Sequence, residues 1–150
     1  MASPAIPPTL DEQLCFDLYA ASRSVISLYR PMLAELGITY PQYLVLLVLW
    51  TEETSHVKDL AETLHLDHGT LTPLLRRMES AGLVHRQRST SDERFVEVSL
   101  TAAGAALGGQ ARAIHCRVKD ALDLSEEEFT HLQSVLRTIT GRSSGASRTA

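Results

Sequence analysis

At 150 residues, 44% hydrophobic and 21% charged, the chain has the size and mix of one globular domain rather than a fibrous or disordered polymer. No apolar run approaches the roughly 18–20 residues that cross a bilayer, and Met1 to Pro8 carries no Lys or Arg ahead of an apolar stretch, so no membrane association and no secretory signal are expected and the chain should be cytoplasmic. Two cysteines, Cys15 and Cys116, are too few for a disulfide scaffold or a zinc site, so no metal and no cofactor is expected.

The net charge of −4 counts mildly against binding nucleic acid, but its distribution matters more than its sum. Residues 1–55 hold only Arg23 and Arg30 against six acids. Between 76 and 94 the balance reverses, with Arg76, Arg77, Arg86, Arg88 and Arg94 against Glu79, Asp92 and Glu93.

In chain order, Leu10 to Leu36 has helical periodicity, with Leu14, Leu18, Val25 and Leu28 near one stripe. Pro31 should bend or interrupt this helix and Gly37 should end it. Thr39-Tyr40-Pro41-Gln42 fits a capping box, and the run it opens, Tyr43 to Trp50, is apolar all round and predicts a short buried helix. His56 to Leu64 is a short amphipathic helix with Val57, Leu60, Ala61 and Leu64 inward. Leu66 and Asp67 break the period, and a second helix follows to about Ala81, with Leu71, Leu74, Leu75 and Met78 inward. Two short helices joined by so tight a turn make a helix-turn-helix.

Leu83–Arg88 and Phe95–Leu100 are the only stretches that alternate like strands, and the polar segment Ser89–Arg94 between them suits a hairpin turn. A hairpin directly after the second helix is a wing. From Thr101 to Leu122 the chain is helical again, and Ser125 to Glu128 opens a last helix through Phe129, Leu132, Val135, Leu136 and Ile139. Gly141 to Ala150 is rich in Ser, Gly and Arg and is expected to be a disordered tail. The expected fold is mainly α with a small β wing: a single domain with a winged helix-turn-helix over 56–100 and dimerisation helices over about 10–36 and 102–140. The long terminal helices have few local partners for their apolar stripes, so a homodimer is expected, and a dimer suits palindromic DNA.

Candidate DNA contacts follow from that order. The second helix offers His68, Gly69, Thr70, Thr72, Pro73, Arg76 and Arg77 on its outer face and first turn. Thr can read base edges in the major groove, and Arg can pair bidentately with guanine. Arg94 on the wing can enter an adjacent minor groove, with Asp92 placed to orient its guanidinium. Arg86 and Arg88 complete the basic cluster.

Cys15, Tyr19, Ser22, Ile26 and Tyr29 fall at steps of 4, 3, 4 and 3, along a single helical stripe. Cys15 and Tyr29 are about 21 Å apart on one straight helix, at roughly 1.5 Å per residue, so they cannot touch within it. Antiparallel packing of this helix on a second copy, with the axis near Ser22, would bring Cys15 opposite Tyr29 of the other chain. Tyrosine hydroxyls there would hydrogen-bond a thiolate, which a lipophilic peroxide would oxidise to a sulfenic acid. A lone cysteine on an apolar helix face is more often small packing, and tyrosines at helical spacing are more often core, so spacing alone does not establish the redox function.

These residues resemble the MarR family and, within it, the organic hydroperoxide-resistance repressors. The family's DNA-binding segment shows as Leu66 to Glu79 and its wing as Arg86 to Arg94, closing with Leu100-Thr101. The subgroup shows in Leu14-Cys15-Phe16-Asp17-Leu18-Tyr19-Ala20, Tyr29-Arg30-Pro31 and Thr39-Tyr40-Pro41-Gln42-Tyr43. The resemblance implies a repressor that binds operator DNA as a dimer when reduced and is released when organic hydroperoxide oxidises Cys15. It also implies that Tyr29, with Tyr19 or Tyr40, bonds the sensor from the partner subunit. Some members carry a second, resolving cysteine in the helix after the wing. Cys116 is in that helix but about one turn early, an offset of about 5 Å, so either Cys116 or a small cellular thiol would cap Cys15. Two other functions are weighed: a MarR-type regulator answering a small phenolic ligand with inert cysteines, and a thiol peroxidase. The peroxidase is disfavoured, with no Cys-x-x-Cys and no nucleophile–base–acid set, so no catalytic residue is expected.

Overall fold

The computed structural model describes residues 7–92 and 94–146. It is mostly helical with one small sheet: α1 (Leu14–Glu35), α2 (Tyr40–Glu52), β1 (Thr54–His56), α3 (Val57–Leu64), α4 (His68–Ser80), β2 (Val84–Arg88), β3 (Val96–Leu100), α5 (Ala102–Ala106), α6 (Gly108–Leu122) and α7 (Glu126–Ala146). The chain reads in sequence as a single domain, and it falls into two compact units divided inside α6, between His115 and Cys116.

In the first unit, a single 3-10 turn (Leu10–Glu12) precedes α1, and the extended backbone of Gln13 separates the two, so the helix does not start at Leu10. Pro31 does not interrupt α1. It removes one main-chain hydrogen bond, and the turn that follows is anchored by the fully buried Leu33. The helix ends at Gly37, whose φ of 69° lets its own N–H reach Ala34 O and the N–H of Ile38 reach Leu33 O. The capping box then opens α2: the Thr39 N–H donates to Gln42 Oε1 at 2.9 Å. Tyr43, Val45, Leu46 and Leu49 of α2 are buried, and they meet Leu60, Leu71, Leu75, Met78, Val84 and Val98 in one core. The inward positions expected for α4, Leu71, Leu74, Leu75 and Met78, are all buried.

Sequence alternation finds β2 and β3 but not β1. The sheet has the antiparallel order β1-β3-β2, with Ser55 paired to Val98 and Arg86 paired to Val98 on the other side. Three residues are too few to show a period, and the partner strand lies some 40 residues on, so β1 exists only because tertiary pairing makes it. The helix expected from Thr101 to Leu122 is also broken at Leu107. Gly104 passes so close to Leu83 that a Cβ would collide with the Leu83 carbonyl oxygen, and a Cβ on Gly108 would lie 3.1 Å from the Trp50 ring. The Trp50 indole N–H donates to Gly104 O at 3.0 Å, so the break lies where Gly104 meets Leu83 and Gly108 admits that ring.

In the second unit, Ser125 and Glu128 cap α7 reciprocally: Ser125 N–H donates to Glu128 Oε2 at 2.9 Å and Glu128 N–H to Ser125 Oγ at 3.2 Å. Lys119 pairs with Glu126 and lies 5.1 Å from the Phe129 ring centroid. The helix runs through Gly141 to Ala146, so the disordered tail expected from Gly141 is helical over 141–146. One interior glycine costs about 1 kcal/mol, which an established helix of several turns carries by propagation. Residues 147–150 of that expected tail lie outside the described residues.

Candidate nucleic-acid interface and redox site

The recognition end is built by pairing charges within the chain. Asp67 caps α4, accepting from Thr70 N–H at 2.7 Å and from the Thr70 hydroxyl at 3.1 Å. These bonds, the main-chain one foremost, hold the Asp67 carboxyl below the usual carboxylate range. The Thr70 hydroxyl is thus engaged at the cap, while His68, Gly69, Pro73, Arg76 and Arg77 are exposed and Thr72 is half-buried.

The arginines divide. Arg86 turns inward: its Nε and Nη2 donate to Glu79 Oε2 at 3.0 and 2.8 Å, and its main-chain N–H donates to Glu79 Oε1 at 3.2 Å. That ion pair, with both guanidinium donors on one carboxylate oxygen, ties the last turn of α4 to β2 and, through the Arg86 side chain foremost, holds the Glu79 carboxyl below its usual range. Arg86 is therefore a brace between recognition helix and wing, with its donors already facing a carboxylate. Arg94 points out, with 84% of its side chain exposed, yet it is oriented as the sequence predicts. Its Nε donates to Asp92 Oδ1 at 3.0 Å and its Nη2 to Oδ2 at 2.7 Å, and the main-chain N–H of Arg94 adds a third bond at 3.1 Å. The Arg94 side chain, foremost, holds the Asp92 carboxyl low. Arg88 is exposed on β2. Glu93 lies outside the described residues.

The sensor end is organised differently. Cys15 is an exposed free thiol in the first turn of α1. The stripe expected to join Tyr19 and Tyr29 divides. Tyr19 is 60% exposed and stacks under the Arg23 guanidinium at 5.4 Å. Tyr29 instead packs on α2, its ring centroid 4.9 Å from that of Tyr40 and 5.7 Å from that of Tyr43. Burial, aided by the two neighbouring phenols, pushes Tyr29 up to about 12, and burial raises Tyr40 and Tyr43 as well. With Leu44, Leu47 and Arg112 the three rings border a cavity of about 450 Å³. Residue spacing on α1 finds Tyr29 alone; Tyr43 is missed, although its separation of three from Tyr40 on α2 puts both rings on one face. Cys116 is an exposed free thiol on α6, within the second unit.

Among the described residues, no three of His, Cys, Asp or Glu cluster closely enough to hold a metal ion, and no single helix is long and apolar enough to cross a membrane.

Against known proteins, residues 27–107 match the family of the transcriptional regulators SarA/Rot. The chain is 50% identical over 130 residues to the organic hydroperoxide resistance transcriptional regulator of Bacillus subtilis, covering 87% of this chain and 88% of that protein. Among solved structures it is similar to reduced AbfR of Staphylococcus epidermidis bound to DNA, with TM-score 0.71 and 35% identity over 89% of this chain and 93% of that one. It is also similar to a mutant MarR of Escherichia coli complexed with operator DNA, with TM-score 0.75 and 26% identity over 89% of this chain and 99% of that one.

Proposed function

Because the chain belongs to the MarR family of winged-helix transcriptional regulators, in its organic hydroperoxide-resistance branch, we propose that it is a redox-sensing repressor that occupies operator DNA as a dimer while Cys15 is reduced and leaves when organic hydroperoxide oxidises it. The observation that carries this is the exposed Cys15 thiol at the head of α1, in a chain half identical to a hydroperoxide-resistance regulator.

The Cys15 sulfur attacks the distal oxygen of the peroxide. An S–O bond forms as the O–O bond breaks, the alcohol leaves, and a sulfenic acid remains. That acid condenses with a second thiol, releasing water: either Cys116 of another copy or a small cellular thiol. Tyr29 and Tyr40, already in ring contact, are the phenols offered to the sensor of the second copy, in preference to the solvent-facing Tyr19. Oxidation then changes how the α1 helices pack, and a small change in the spacing of two recognition helices lowers operator affinity without unfolding either. On the DNA, α4 would present Arg76 and Arg77 to the major groove and the wing would present Arg94 to the minor groove.

The test is fluorescence anisotropy on operator duplex with cumene hydroperoxide, comparing wild type with Cys15→Ser. Wild type should be released and the variant retained. Equal release of both would overturn the redox mechanism. The tyrosine-bordered cavity favours a small phenolic effector instead; release of Cys15→Ser by a phenol at unchanged redox state would support that second function.

A further inference from the structure

At the root of the wing, His56 and Lys58 at the start of α3, His68 and Thr72 of α4, and Arg86 and Arg94 of the hairpin surround a cleft of about 360 Å³ floored by Leu75, Phe95 and Val96. Five of these side chains are basic or imidazole. Two are already answered: Arg86 by Glu79 and Arg94 by Asp92. Among the described residues, Lys58 and His68 have no hydrogen-bond or ion-pair partner, and both are exposed. The His56 ring stacks on Phe95 with centroids 5.5 Å apart, and its buried Nδ1 has no hydrogen-bond partner. With Glu79 and Asp92 each matched to its arginine, the cleft is left, among the described residues, with one uncompensated formal cation, Lys58.

A site with one spare positive charge, a hydroxyl and imidazole donors suits a singly charged, oxygen-rich anion. The geometry points to a phosphate seat: the cleft between recognition helix and wing takes one backbone phosphodiester of the DNA duplex, held by Lys58 with Thr72 and His68. This rests on the DNA-binding function proposed above and assigns a contact to Lys58, which lies on the helix before the recognition helix, outside the basic cluster. A duplex that follows α4 and meets the wing must carry its backbone across the root between them, where the cleft lies. The two internal ion pairs fix the positions of Arg86 and Arg94 on either side, so the seat is formed before DNA arrives.

The probe is a duplex that wild-type protein selects from a random-sequence pool, titrated with salt and then remade with a neutral methylphosphonate at each backbone position in turn. Neutralising one phosphate per subunit contributes about 0.9 to the slope of log K against log salt. Lys58→Gln should flatten the slope by about 0.9 per subunit with an unchanged melting temperature, and Lys58→Arg should restore it. One methylphosphonate position per half-site should weaken wild type and leave Lys58→Gln unaffected. An unchanged slope in Lys58→Gln, or methylphosphonates that weaken both proteins equally at every position, would overturn the seat while leaving the regulator intact. If wild type enriches no sequence from the pool, the DNA-binding function itself fails and the seat with it.

Discussion

Between Asp67 and Gly104 several polar groups are answered within the chain: Asp67 caps α4, Glu79 braces Arg86, Asp92 aims Arg94, and the Thr101 hydroxyl donates to Gly82 O at 2.6 Å while accepting from Gly104 N–H at 3.0 Å. Over the first turns of α1, Leu14 (64% exposed), Cys15, Phe16 and Tyr19 stand open to solvent instead. The contrast follows from what each region has to do. Base edges are read by a few contacts held to a fraction of an ångström, so a reading element must be formed in advance. Under the function proposed, a sensing element has to change its packing when one sulfur is oxidised, and an apolar face left open for a second copy allows that.

The largest test of that contrast strikes the open region. Leu14→Glu removes roughly 1.5–3 kcal/mol of burial from each subunit if the helix packs on its mate, so it should raise the dimer dissociation constant roughly a hundredfold or more. Sedimentation at graded concentration measures this, and an unchanged constant would place the interface elsewhere. Gly104→Ala strikes the preformed region, where the new methyl would collide with the Leu83 carbonyl. It should cost about 3 kcal/mol in denaturant unfolding, and a fully stable variant would show that the wing root has slack.

Arg94→Ala should weaken operator binding by roughly ten- to a hundredfold and flatten its salt dependence, with an unchanged melting curve, because its guanidinium braces no other element. Destabilisation instead would make Arg94 a structural residue like Arg86. Thr101→Val removes one helix cap and the bond to Gly82, for about 1 kcal/mol of stability, and should leave release by hydroperoxide intact.

The smallest effect is a titration. Folding raises Tyr29 from its ordinary 10.0 to about 12 and so favours the neutral phenol. The stability this contributes is complete below pH 10 and is lost as pH rises through about 12. Ultraviolet titration should show a late-ionising tyrosine that Tyr29→Phe removes; its persistence in that variant would assign the shift to Tyr40 or Tyr43.

What was legible in the sequence is what local rules encode. The two helices of the reading element show in their apolar period, the α2 and α7 starts show in capping boxes, and the Asp92–Arg94 pair shows because two residues of a hairpin turn share one side of it. What escaped is non-local. β1 takes its identity from β3, and the α5–α6 break follows from the approach of Trp50. Arg86 and Arg94 read alike as surface cations, yet one guanidinium turns back seven residues to Glu79 and the other stands in solvent beside Asp92. Tyr43 reads as plain core and is also the ring that joins Tyr29 and Tyr40 to the rest of α2.

Trp50 is the only tryptophan in the chain, and it sits where α2 meets the α5–α6 break, with its indole N–H on Gly104 O and its ring 6.0 Å from that of Tyr43. The protein therefore carries its own fluorophore, with no competing indole to mask it. Energy absorbed by the nearby tyrosines drains to that ring, and its emission follows the hydrogen bond it makes to the helix after the wing. In a stopped-flow mixer, any change in packing at that hydrogen bond can therefore be timed on unlabelled protein.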